Sequence, residues 1–217
     1  MPEVRNCEQC GSRFTPRREH ARFCSARCRV AWNRADRAHH TGDHSALSWA
    51  ITAMTDTTDR LPRVAGLDRP RAFAVISEAV WWVTIVDANL VRYYPDAYDG
   101  ELASRPEADR QLIDETLAGL RFVRNQVGTD LERVDFIRPA PVLIEESRAR
   151  DWTWAALPKP SGSALSPRGL TWELGRHQAY QSRLAGQPVG KTFTTAASFL
   201  KKVASGITMP DGARALD

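Results

Sequence analysis

The sequence predicts a mainly α protein, in which a small N-terminal β-hairpin plus helix forms a metal module and a helical-bundle body follows. Three observations carry this expectation. All four cysteines fall within residues 7–28, in two close pairs. Beyond them, apolar residues recur at helical spacing in several separate segments. Residues that start and stop helices bracket those segments.

The first pair is Cys7-x2-Cys10 and the second is Cys24-x3-Cys28, with 13 residues between them. A C-x2-C turn folds back so that both sulfurs meet one metal, and Gly11 directly after it supplies the positive φ that a tight knuckle needs. Phe14 and Phe23 bracket the intervening segment and suit a small hairpin covering the site, with Pro16, Arg17 and Arg18 in its turn. Ser25 is a natural helix N-cap. It places Cys28 in the first helical turn, where free N–H groups and the helix dipole favour a thiolate. At helical spacing Cys28, Ala31, Trp32 and Ala35 share one face, and Arg27, Arg29, Arg34 and Arg37 lie across the opposite arc. Soft sulfur ligands suit a tetrahedral Zn2+, and four of them leave no open position, so a structural site is expected rather than a catalytic one.

Residues 1–38 are thus read as the module with its exit helix, and 39–69 as a connector containing a short amphipathic helix around Leu47–Met54 and a polar loop from Thr55 to Arg69. Asp68 and Pro70 start a long helix, about Arg71–Tyr94, that stops before Pro95. It is apolar on most faces and therefore central. Its most apolar part, Ala79–Val86, is too short for a membrane span, which needs about 20 predominantly apolar residues. After a turn-rich stretch, Ser104 with Glu107 reads as a capping box for a second helix, about Arg105–Val127, stopped by Gly128. Within 129–155, Pro141–Ile144 suits a short extended piece, and Trp152 and Trp154 read as packing residues. Two more helices follow, about Leu170–Leu184 and Lys191–Val203, separated by Gly186, Pro188 and Gly190. The body, 70–217, is mainly helical.

Charge is unevenly placed. The net charge is +4, yet residues 1–40 hold nine Arg and four acids, and the rest is slightly acidic. The thiolates with a divalent metal carry about −2 between them, so the effective charge of the head is about +3. A basic head on a near-neutral body points to a negatively charged partner. The 26 Arg against 4 Lys also reflect the bias of a GC-rich coding sequence. Cysteines confined to one short segment, with no apolar leader after Met1, suggest a reducing, cytoplasmic setting.

The run C-x2-C-G-x2-F-x-P-R…R-F-C-S-x2-C-R, residues 5 to about 34, resembles short treble-clef zinc modules of the FCS type. The resemblance implies that Cys7, Cys10, Cys24 and Cys28 are the ligands; His20, between the pairs, reads as an exposed polar residue. It also implies a binding role, to nucleic acid in some such modules and to protein in others. The nucleic-acid candidates are Arg13, Arg17, Arg18, Arg22, Arg27, Arg29, Arg34 and Arg37, because guanidinium groups engage phosphates bidentately and read guanine edges.

A second resemblance covers residues 68–135. Leu120-Arg121-Phe122-Val123-Arg124-Asn125, late on a helix, is similar to the end of a HEPN-type helical domain. Many such domains are RNases whose motif is Arg, a polar residue, and a His a few positions on. Arg124 and Asn125 match the first part, but residues 126–130 supply no His. The implied version is an inactive, binding or dimerising one. The plain alternative makes Arg124 an ion-pair partner of Glu78 or Asp87. Val189-Gly190-Lys191-Thr192 fails as a phosphate loop, because the spacing is wrong and no strand precedes it. Glu145, Glu146 and Asp151 read as solvated surface. His39, His40, His44 and His177 lack a trustworthy ligand spacing. The expected function is a non-enzymatic, zinc-dependent DNA- or RNA-binding protein, possible as a homodimer. A HEPN-like RNase or a protein adaptor is the alternative.

Overall fold

The computed structural model describes residues 4–16, 21–39, 45–129, 135–140, 151–160 and 166–207. They belong to two compact units, Met1–His44 and Ser45–Asp217.

In the first unit, β1 (Arg5–Asn6) pairs antiparallel with β2 (Arg13–Phe14), and α1 spans Ala26–His39. The hairpin therefore encloses the first cysteine pair, rather than the 14–23 segment expected from the two phenylalanines. Two bonds close its tip, Cys7 N–H to Ser12 O at 2.9 Å and Gly11 N–H to Cys7 O at 2.8 Å. Gly11 has the positive φ, 70°, that this turn requires. Ser25 caps α1 as its sequence position suggested: the Cys28 N–H donates to Ser25 Oγ at 3.2 Å.

The second unit is mainly α. Its order is α2 (Ser45–Arg60), a 3-10 turn (Leu61–Gly66), α3 (Arg69–Tyr93), α4 (Pro95–Ala103), α5 (Glu107–Thr129), β3 (Ile137–Pro139), β4 (Trp152–Trp154), α6 (Pro167–Arg183) and α7 (Val189–Ser205). The Pro141–Ile144 piece lies outside the described residues.

α3 is the hub and packs on α2, α5 and α7. Asp68 caps it by accepting from the Arg71 N–H at 3.0 Å. It is long and apolar enough to satisfy the length and composition of a membrane span, yet nine of its side chains are buried within the unit. One of these is Asp87. Arg121 of α5 grips it bidentately at 2.6 and 2.8 Å, and the Tyr98 hydroxyl of α4 donates to it at 3.0 Å. Burial, and the Asp87 charge after it, push the Tyr98 hydroxyl well above its ordinary range, so it stays a donor.

α2 runs past the polar loop expected from Thr55. Its threonines looked like a loop, but Thr57 and Thr58 donate to the helix's own carbonyls, and Met54 and Thr57 are buried. Burial on one face outweighs the weak helix propensity of β-branched residues. α4 occupies the stretch after Pro95 where the sequence suggests turns. Pro95 instead occupies a first-turn position, where its missing N–H does no harm. Ser104 closes α4 and donates to Glu101 O at 2.7 Å. The expected capping box with Glu107 is therefore replaced, and α5 begins after Pro106, whose carbonyl accepts the first helical bonds.

β3 and β4 form a two-stranded antiparallel ribbon, with Ile137 opposite Trp154 and Pro139 opposite Trp152. Both tryptophans are buried, as expected of packing residues, and each spends its indole N–H: Trp152 on Val64 O at 3.0 Å, Trp154 on Thr192 Oγ1 at 2.8 Å. Gly186, at φ 77°, turns the chain between α6 and α7 and donates to Trp154 O. Thr192, in the first turn of α7, is thus occupied within the core, in keeping with the failed phosphate-loop comparison.

Two stability tests follow from this packing. A Cβ on Gly119 of α5 would lie 2.9 Å from Leu184 Cδ1 and 3.2 Å from the Tyr180 backbone of α6. Gly119→Val should therefore destabilise the body by about 1–3 kcal/mol in urea unfolding, with Gly128→Val, which meets open space, as the control. Asp87→Ala strands Arg121 and Tyr98 and should lower stability by about 3–5 kcal/mol. Asp87→Ala unfolding at the wild-type midpoint would show that the buried ion pair is dispensable.

Candidate metal centre

The sulfur atoms of Cys7, Cys10, Cys24 and Cys28 all lie within 4.8 Å of one another. Cys10 and Cys24 are 3.7 Å apart and Cys24 and Cys28 are 3.5 Å apart. A tetrahedron with zinc–sulfur bonds of about 2.3 Å has edges of about 3.8 Å, so the cluster has the dimensions of a four-thiolate metal site. The separations are far longer than the ~2.05 Å of a disulfide, and all four thiols are free. Two local structures deliver them. Cys7 and Cys10 come from the hairpin tip, whereas Cys24 and Cys28 flank the capped start of α1.

The four thiols differ in their environments. Burial opposes ionisation of Cys7, but the N–H groups of Cys24, Cys10 and Gln9 outweigh it and bring the thiol down to about 6. Ser12, through its hydroxyl and then its N–H, lowers Cys10. Cys24 moves the other way. Its hydrogen bonds to Cys28, Cys10 and Cys7 push it up to about 12. Sulfurs this close oppose one another's ionisation, so Cys24, which bonds to the other three, keeps its proton to the highest pH and shares it with them. A soft divalent cation held among the sulfurs would replace that proton and balance the charge.

Sequence reasoning missed the brace around this cluster. Arg22 donates bidentately to Glu8, with Nε to Oε1 at 2.7 Å, and holds that carboxyl below the usual range. A backbone bond, Glu8 N–H to Arg22 O at 3.1 Å, runs beside it. The same guanidinium lies 5.6 Å from the Phe23 ring and 5.8 Å from the Trp32 ring, which are themselves 5.8 Å apart. Glu8 inside the first pair and Arg22 two residues before the second were the visible signal, since opposite charges close to two ligand pairs that meet suit a clasp.

The other predicted arginines are distributed as follows. Arg13 is exposed on β2, and Arg27 and Arg29 are exposed in the opening turns of α1. Cys28, Ala31 and Trp32 are half-buried on the other side of that helix, as the helical spacing indicated. Arg17, Arg18 and His20 lie outside the described residues, and so do the side chains of Arg34 and Arg37.

In the body, Arg124 does not take the carboxylate expected of it. Asp87 is held by Arg121, one turn earlier on α5, and Glu78 by Arg60 of α2 at 2.7 Å. Arg124 donates to Asn125 Oδ1 at 3.3 Å, and Asn125 donates to Glu173 Oε1 at 2.8 Å, which Arg176 also contacts at 2.6 Å. His177, one turn further on α6, is buried with its Nε2 3.0 Å from Leu157 O. Glu145, Glu146, His40 and His44 lie outside the described residues, as does the side chain of His39. Asp151 is exposed.

No family model, curated protein or solved structure matches the chain.

Because Cys24 must give up its proton, metal binding should release protons, and affinity should rise with pH across the neutral range. A Co2+ titration followed by the thiolate-to-metal absorption, repeated from pH 6 to pH 8, measures this. Flat affinity over that range would contradict the shared-proton picture. Cys24→Ser and Cys28→Ser should each lose stoichiometric metal and the hairpin's amide-exchange protection.

Proposed function

We propose that this chain is a zinc-dependent nucleic-acid-binding protein in which the four cysteines hold one Zn2+ as a closed structural centre. The observation that carries the reading is the position of Arg27 and Arg29. They stand exposed on the helix that starts at the cluster, beside the half-buried ligand Cys28. Bound zinc would supply the folding energy that so small a unit lacks, and would fix the start of α1. The helix would then present a rigid guanidinium face, able to contact phosphates bidentately.

The delivery of one cysteine pair by a hairpin tip and the other by a helix start supports the likeness to FCS-type treble-clef modules. Arg22 has a different part in this reading: its Glu8 clasp and its aromatic neighbours make it a brace of the module. The helical body supplies a second contact or a dimer surface. The polar layer that Arg124 and Asn125 form with Glu173 and Arg176 supports a structural role for that pair, and with it a non-enzymatic body.

The test is a gel-shift titration of the full, zinc-loaded chain on duplex DNA and on RNA over a range of salt. Affinity for the nucleic-acid partner should fall steeply as salt rises. For duplex DNA, each lost phosphate contact reduces the slope of log affinity against log salt by about 0.9. The double variant Arg27→Ala/Arg29→Ala should bind more weakly and less steeply with salt while keeping its metal. No binding to either nucleic acid, or full binding by that variant, would defeat the reading. Salt-insensitive capture of a protein would favour an adaptor role.

A further inference from the structure

The body carries a cleft of about 650 Å3 between the end of α2, the 3-10 turn and α7. That volume is within the range of small-molecule sites. Its floor is apolar and closed: Leu61, Val64, Trp152 and Phe193 are all buried. Its walls are polar and bear both signs of charge. Asp59 is on α2, Asp151 precedes β4, and Ser198 and Lys201 are one turn apart on α7.

These wall groups are held ready rather than used up. Thr194 and Thr195, on the same helix, donate to the carbonyls of Gly190 and Lys191. The Ser198 hydroxyl, by contrast, makes no hydrogen bond among the described residues. Asp59, Asp151 and Lys201 make no ion pair among them either, although all three line one cleft. Asp151 uses a single oxygen, Oδ1, to accept from the Trp152 N–H at 2.7 Å. Lys201 comes from the later turns of α7, and Asp151 from the segment that leads into β4, so the two charges reach the cleft from different elements.

From this arrangement we infer that the cleft binds a short unblocked peptide of two or three residues with apolar side chains. Its carboxylate meets Lys201 and Ser198, its ammonium meets Asp151, and its side chains lie on the Trp152–Phe193 floor. Opposite charges held apart over an apolar floor suit a ligand with an opposite charge at each end. A peptide of two or three residues carries that charge pattern on an apolar body and is of a size that the cleft's volume of about 650 Å3 admits. Asp59, a second carboxylate on the lining, adds to the preference for a ligand with a cationic amine.

Calorimetric titration of the full chain with alanyl-leucyl-phenylalanine tests this, alongside the N-acetylated and C-amidated forms of the same tripeptide. The free peptide should bind saturably, and each block should weaken binding about tenfold or more, as expected for loss of a charged hydrogen bond. Lys201→Ala should erase the difference between free and amidated peptide, and Asp151→Asn the difference between free and acetylated peptide. Ser198→Trp, at an exposed wall position, should fill the cleft and abolish binding, with circular dichroism confirming a folded body. Absence of saturable binding up to millimolar free peptide, blocked forms that bind as tightly as the free peptide, or binding that survives Ser198→Trp would each overturn the assignment.

Discussion

Among the described residues of the first unit, the one buried side chain is Cys7, itself a candidate ligand. Its described residues form two strands of two residues each and one helix, so ordinary hydrophobic burial among them contributes little. What brings its parts together is the meeting of four sulfurs inside 4.8 Å. That meeting is a constraint as much as a bond. Thiolates so close repel, and a soft divalent cation held among them would relieve that repulsion. The hairpin, the turn at Gly11 and the capped start of α1 are each local solutions to bringing sulfur to one point.

The second unit rests on a different principle. Its core is continuous and dominated by α3, and it includes an aromatic group in which Phe136, Tyr180 and Phe193 each meet the Trp154 ring, in tilted or edge-on contacts. Polar groups inside that core are paired where they are most deeply placed. Asp87, fully buried, is satisfied by Arg121 and Tyr98 together, which ties α3, α4 and α5 to one orientation. Such a pair contributes more to a unique arrangement than to net stability, because removing two charges from water offsets much of their attraction.

The parts legible in the sequence were those whose physics is local. Cysteine spacing, the Ser25 and Asp68 caps and the apolar run of α3 all act within a few residues, and the structure bears them out. Long-range choices were not legible. Nothing near Arg121 or Arg124 tells which of them Asp87 will meet, since the answer depends on the crossing of α3 and α5. Thr55–Arg60 looked like a loop until its buried face on α3 was known. The 13 residues between the cysteine pairs suggested a hairpin, but pairing occurred around the first pair, where the knuckle already turns the chain. In the cleft, Ser198 and Lys201 show as neighbours on a helix, but Asp151 comes from a distant segment and Asp59 from another helix.

The clasp between Glu8 and Arg22 has a consequence for how the metal finds its site. The 13 residues between Cys10 and Cys24 form a loop that must close before four ligands can act together. Closing a loop costs chain entropy, and the loss grows with its length. The ion pair, with the backbone bond beside it, closes nearly the same loop with protein groups alone. A metal would then meet two ligand pairs already tethered near one another, so the clasp would hasten its capture while the metal itself supplied the stability.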